Sequence, residues 1–93
     1  AQCVMANNFT TIVWQRYFHI MQKKLNINKK DLMPFFHQTI KNIQGNPAHA
    51  LTGPFVRNDQ MTIQNNLDAL TDDPFQAIYH AFAHTDLEEF ENE

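Results

Sequence analysis

Apolar positions recur at intervals of three and four along most of the chain, the spacing of one face of an α-helix, and nowhere alternate as a strand does. From Ala1 to about Leu25 the series Met5, Phe9, Ile12, Val13, Arg16, Tyr17, Ile20 and Met21 predicts one long helix. Trp14 and Phe18 widen its apolar surface beyond a single stripe, as suits a helix touching two neighbours or another subunit. Lys23 and Lys24 fall in its last turn, where cations offset the negative end of the helix dipole. Asn7 and Asn8 fit this helix poorly, because their amides compete for backbone hydrogen bonds. They read either as solvent-exposed positions or as hydrogen-bonding groups facing a cleft.

Asn26-Ile27-Asn28 breaks the pattern, and Asn28 followed three residues later by Asp31 is close to a capping box. The next helix runs to about Gln44, with Leu32, Phe36, Ile40 and Ile43 inward. The pattern begins at about Lys29, which leaves Pro34 a turn or so inside: either the helix starts at Asp31, with proline in the tolerated first turn, or it bends at Pro34, and the late start is the preferred expectation. Gly45 is expected to close the helix in the left-handed conformation. Asn46-Pro47 pairs an N-cap with proline at the first helical position, opening a short helix through Leu51 that Thr52-Gly53-Pro54 ends. Asp59 then caps a helix of about Gln60 to Leu70, with Ile63, Leu67 and Leu70 inward. Asp73-Pro74 repeats the start signal for a helix to about His84, striped by Phe75, Ile78, Tyr79 and Phe82. Thr85 to Glu93 is acidic and either continues as helix or frays, with Leu87 and Phe90 able to dock it. The pattern predicts an all-α domain, a bundle of four or five helices.

Length and composition sharpen this. Ninety-three residues fit a single core. A hydrophobic content of 43%, with eight phenylalanines, argues against disorder and exceeds what one small domain can hide, so a partner surface is expected. The net charge of −3, with scattered lysines, gives no footprint for nucleic acid. Cys3 is the only cysteine, which precludes an intrachain disulfide; it reads as core filler. No apolar run approaches the roughly 18–20 residues of a membrane helix, and no leader peptide is visible, so a cytoplasmic protein is expected. The chain starts without methionine and already inside a helix, which suits a piece of a longer protein.

Few residues carry chemistry. His80 and His84 have the spacing of paired zinc ligands, but Ala81 stands where zinc proteases place glutamate, and no cysteine is near. His37 and His49 bear no fixed relation to them, and no resident metal is expected. No serine occurs anywhere, and two glycines cannot form a dinucleotide fingerprint, so no cofactor is expected on this chain alone. The remaining candidate is the loop Thr52 to Asp59. Gly53-Pro54 forces a tight turn. Arg57 offers a rigid charged fork for a carboxylate or phosphate, or pairs with Asp59 to pin the loop. Asp59 is most economically an N-cap, and Thr52 a turn hydroxyl.

The run Thr52-Gly53-Pro54-x-x-Arg57-x-Asp59-x-x-Thr62-Ile63, with Asn8-Phe9-Thr10, Thr39, Asp73-Pro74 and Tyr79, resembles the helical C-terminal domain of bacterial Rossmann-like oxidoreductase family proteins. Such domains are similar to those of 6-phosphogluconate dehydrogenase, ketopantoate reductase and pyrroline-carboxylate reductase. The resemblance implies a homodimer through the first long helix and an N-terminal Rossmann domain that binds NAD(P). It also implies a small-molecule substrate in a cleft lined by Asn8, Thr52, Gly53, Pro54, Arg57 and Asp59. The family often has glycine where Asn58 stands, and asparagine also tolerates left-handed geometry. Fold likeness does not establish a reaction, and hydride transfer by this chain alone is not expected. From a different class, a stand-alone helical protein–protein interaction module would use the same aromatic helix.

Overall fold

Residues 1–85 are described by a computed structural model. Among them every regular element is helical: α1 (Gln2–Val4), a π-helical turn (Met5–Phe9), α2 (Thr10–Leu25), α3 (Lys29–Gly45), a 3₁₀ turn (Pro47–His49), α4 (Pro54–Arg57), α5 (Gln60–Ala69) and α6 (Phe75–Ala83). The all-α class follows directly from the three-and-four periodicity. Leu87, Phe90 and the rest of the acidic end lie outside the described residues. The chain divides into two compact units, Ala1–Lys41 and the part from Asn42 onward, with the boundary inside α3.

In the first unit, α1, the π turn and α2 follow one another without a break in helical backbone, as the long first helix required. The interruption is the π turn, which contains both Asn7 and Asn8. A π turn closes i→i+5 and so holds one residue more than an α turn. The wider turn brings Val4, five residues before Phe9, onto the side that Met5 already shares with Phe9, Ile12 and Val13. Asn26 ends α2 in the left-handed region (φ 55°), its N–H donating to Gln22 C=O at 3.0 Å, and its side-chain oxygen accepts from Gln22 Nε2.

The face of α2 that meets α3 takes in only the C-terminal part of the main stripe, where Tyr17, Ile20 and Met21 are half-buried. Trp14 packs edge-on against Phe36, with centroids 4.9 Å apart, and against Phe35 at 5.9 Å; Tyr17 and Phe18 complete the cluster. Leu32 is buried beside α3's aromatic pair in sequence, whereas Phe9, Ile12 and Val13 remain exposed. Trp14 and Phe18, read as a widening of the stripe, are therefore the intramolecular contact. Ile40 and Ile43, expected inward, are exposed as well.

Three boundary expectations are corrected. α3 begins at Lys29, and Pro34 lies inside it. Asn28 C=O accepts from Asp31 N–H at 2.9 Å, so the helix is already closing before the proline is reached. Gly45 is the last residue of α3 and does not take positive φ; Asn46 donates back to Asn42 C=O and then turns extended. The short helix predicted through Leu51 is a single 3₁₀ turn ending at His49.

In the second unit, Ile63 and Leu67 of α5 form the buried core, as predicted, and Leu70 is half-buried. Tyr79 of α6 packs on Phe55 of α4 at 5.4 Å, and its hydroxyl accepts from Asn66 Nδ2 at 2.8 Å. Gln76 Nε2 donates to Leu67 C=O at 2.7 Å, satisfying a carbonyl at the end of α5. Asp73 accepts the Phe75 N–H at 2.8 Å at the start of α6. Ile78 and Phe82, predicted as part of the inward stripe, are exposed.

Candidate functional site

The loop before α5 is built by two left-handed residues. Gly53 has φ 87° and ψ −159°, a combination that side-chain-bearing residues avoid, and Pro54 then starts the single turn α4. Asn58 takes the left-handed conformation (φ 54°, ψ 41°) and reverses the chain, so asparagine does serve at this position. Its side-chain oxygen accepts from Gln60 Nε2.

Asp59 follows, and its two oxygens divide their work. Oδ1 accepts the Thr62 backbone N–H at 3.1 Å and Oδ2 accepts the Thr62 hydroxyl at 2.8 Å. This is the N-cap expected of Asp59, reinforced by a threonine three residues on. The Thr62 N–H, then its hydroxyl, hold the Asp59 carboxyl below the usual carboxylate range; Arg57 adds to this and partial desolvation opposes it. The reinforcing hydroxyl is legible only as Asp-x-x-Thr spacing, a variant of the capping box.

Arg57 Nη2 stands 3.6 Å from Asp59 Oδ2, an ion pair longer than a hydrogen bond, and the Arg57 side chain is 62% exposed. The pairing that pins the loop is thus present, yet it engages one nitrogen and leaves most of the fork to solvent. Thr52 is exposed, and Gly53 and Pro54 are half-buried. The structure brings Arg57, Asp59 and Thr62 together. Asn8 belongs to the first unit and is exposed on the π turn, where Thr11 Oγ1 donates to Asn7 C=O at 2.7 Å.

Two further features belong to the second unit, and only the first was not anticipated. An open groove of about 430 Å³ is lined by Gln64, Leu67, Gln76, Ala77 and His80. His80 and His84 stack, with ring centroids 4.0 Å apart and planes 21° from parallel. The i,i+4 spacing made that pair visible; the groove needed knowledge of how α5 meets α6. Cys3, read as core filler, is exposed. No described helix is long and apolar enough to cross a membrane.

These features define a small all-α domain whose one tightly specified loop presents an arginine. The chain belongs to the family described as domain of unknown function (DUF2520), which it matches over residues 1–85. No curated protein and no solved structure matches it.

Proposed function

We propose that this chain is the dimerisation and substrate-pocket domain of an NAD(P)-dependent oxidoreductase. The observation that carries this reading is the apolar stripe Val4, Met5, Phe9, Ile12 and Val13, all exposed, on the opposite side of the first helix from the Trp14 cluster. A contiguous apolar helix face of this kind is the usual material of a subunit interface. The resemblance carried by Thr52-Gly53-Pro54-x-x-Arg57-x-Asp59 supplies the oxidoreductase context and the expectation of a second copy as partner.

In that setting the nucleotide-binding domain of the parent protein holds the cofactor, which supplies the hydride. The present chain orients substrate. Arg57, with most of its fork free, binds an anionic group, while Gly53, Pro54 and Asp59 fix the loop that aims it, and Thr52 adds a hydroxyl. Asn8 contributes a hydrogen-bonding amide on the first helix.

Light scattering across a dilution series tests the carrying point. The expected result is a dimer that persists at low concentration and that Phe9→Asp converts to monomer without loss of helical circular dichroism. A folded monomer throughout defeats the dimerisation reading. A wild-type monomer that gains a different protein partner through the same stripe would instead establish the interaction-module alternative.

A further inference from the structure

The stacked histidines of α6 are not used by the reading above. His80 lies in the last turn of α6 and His84 caps its C-terminal end, both exposed, with rings 4.0 Å apart. His84 Nδ1 lies 2.8 Å from the His80 carbonyl oxygen. A carbonyl can only accept, so Nδ1 carries the proton in this contact and, in the neutral ring, Nε2 is the nitrogen left to bind an ion. Metal-binding histidines characteristically have this support, because a backbone carbonyl on one ring nitrogen fixes the tautomer and orients the other nitrogen toward the ion. His80 packs face-on beside it and borders the groove formed with Gln64, Leu67, Gln76 and Ala77.

From this geometry we infer that His80 and His84 form an exchangeable binding site for a divalent first-row transition metal ion, Zn²⁺ or Cu²⁺. Structural zinc sites use four protein ligands, and among the described residues no group of three or more His, Cys, Asp or Glu is placed to hold an ion. Two imidazoles on adjacent helical turns suffice for an ion whose other positions are filled by water, and imidazole suits both Zn²⁺ and Cu²⁺. His84 is already oriented, so only the exposed His80 ring has to turn for the two nitrogens to converge. The groove beside His80 leaves the solvent side of the ion open.

The site is tested by titrating the full chain with Zn²⁺ and with Cu²⁺ in a calorimeter, alongside NMR of the histidine ring protons. One saturable site per chain is expected, with the His80 and His84 signals moving together and Cu²⁺ binding more tightly than Zn²⁺. His80→Ala and His84→Ala should each weaken binding about tenfold or more, since loss of a ligand costs at least as much as loss of a ligand's support. His37→Ala and His49→Ala should leave it unchanged. Circular dichroism of each variant separates lost binding from lost folding. Absence of saturable binding, or binding that survives in folded His84→Ala, overturns the proposal. Because this site involves neither the apolar stripe nor the Arg57 loop, either result is independent of the oligomeric state.

Discussion

Asp59 shows how a single side chain can fix a loop and make it pH-sensitive. Its carboxylate caps α5 through Thr62, and the same contacts lower its proton affinity in the folded state. A carboxyl whose folded pKa lies below its unfolded value contributes stability that is present above the ordinary aspartate range, near about 3.9, and lost as pH falls through the depressed folded value. Asp59→Asn retains an acceptor for the Thr62 N–H but no charge, whereas Asp59→Ala retains neither. At neutral pH both should lower the melting temperature, alanine more than asparagine. Melting curves down to pH about 3 should show the gap between wild type and Asp59→Asn closing. A gap independent of pH would mean that the charge contributes nothing. The capping role was legible from Asp59 standing before a helical pattern. The geometry of Arg57 was not, because one sequence permits the guanidinium either to pin its own loop or to reach for a ligand.

Among the elements, α2 and α3 are joined by aromatic rings rather than by an aliphatic seam. Trp14 touches Tyr17, Phe18, Phe35 and Phe36, and no other side chain of the first unit makes as many ring contacts. Trp14→Ala should therefore destabilise that unit by about 2 kcal/mol, a half-buried aromatic's share of the cost of truncating a core residue. Chemical denaturation followed by circular dichroism measures it; a change within about 0.5 kcal/mol would move the weight of packing to Leu32. Periodicity located every major helix, because 3.6-residue spacing is a local property. It left open which side of the first helix turns inward, because two apolar faces lie on that helix and local spacing cannot rank them. Proline propensity misplaced the start of α3: the closing turn from Asn28 to Asp31 outweighed the cost of Pro34.

At the scale of the whole molecule, high hydrophobic content did not produce a large interior. Leu32, Ile63 and Leu67 are the buried hydrophobic side chains among the described residues, while Phe9, Phe35, Ile43, Met61 and Phe82 are each about half exposed or more. Composition reports how much apolar surface exists, not whether the same chain covers it. The π turn makes this exposed surface tolerant of one particular change in chain length. Removing Ala6 would let residues 2–25 close as uninterrupted α-helix, with its i→i+4 hydrogen bonds intact and the Trp14 cluster untouched. Val4 and Met5 would then stand four and three residues before Phe9, the same-face spacing of an α-helix, and so stay in line with Phe9, Ile12 and Val13. Such a deletion should leave both the melting temperature and self-association in the same dilution series nearly unchanged, and a weakened association would show that the residues of the π turn themselves take part in the interface. A gene losing that one codon would still encode a folded domain with its apolar stripe in register, so neither folding nor that stripe requires the extra residue.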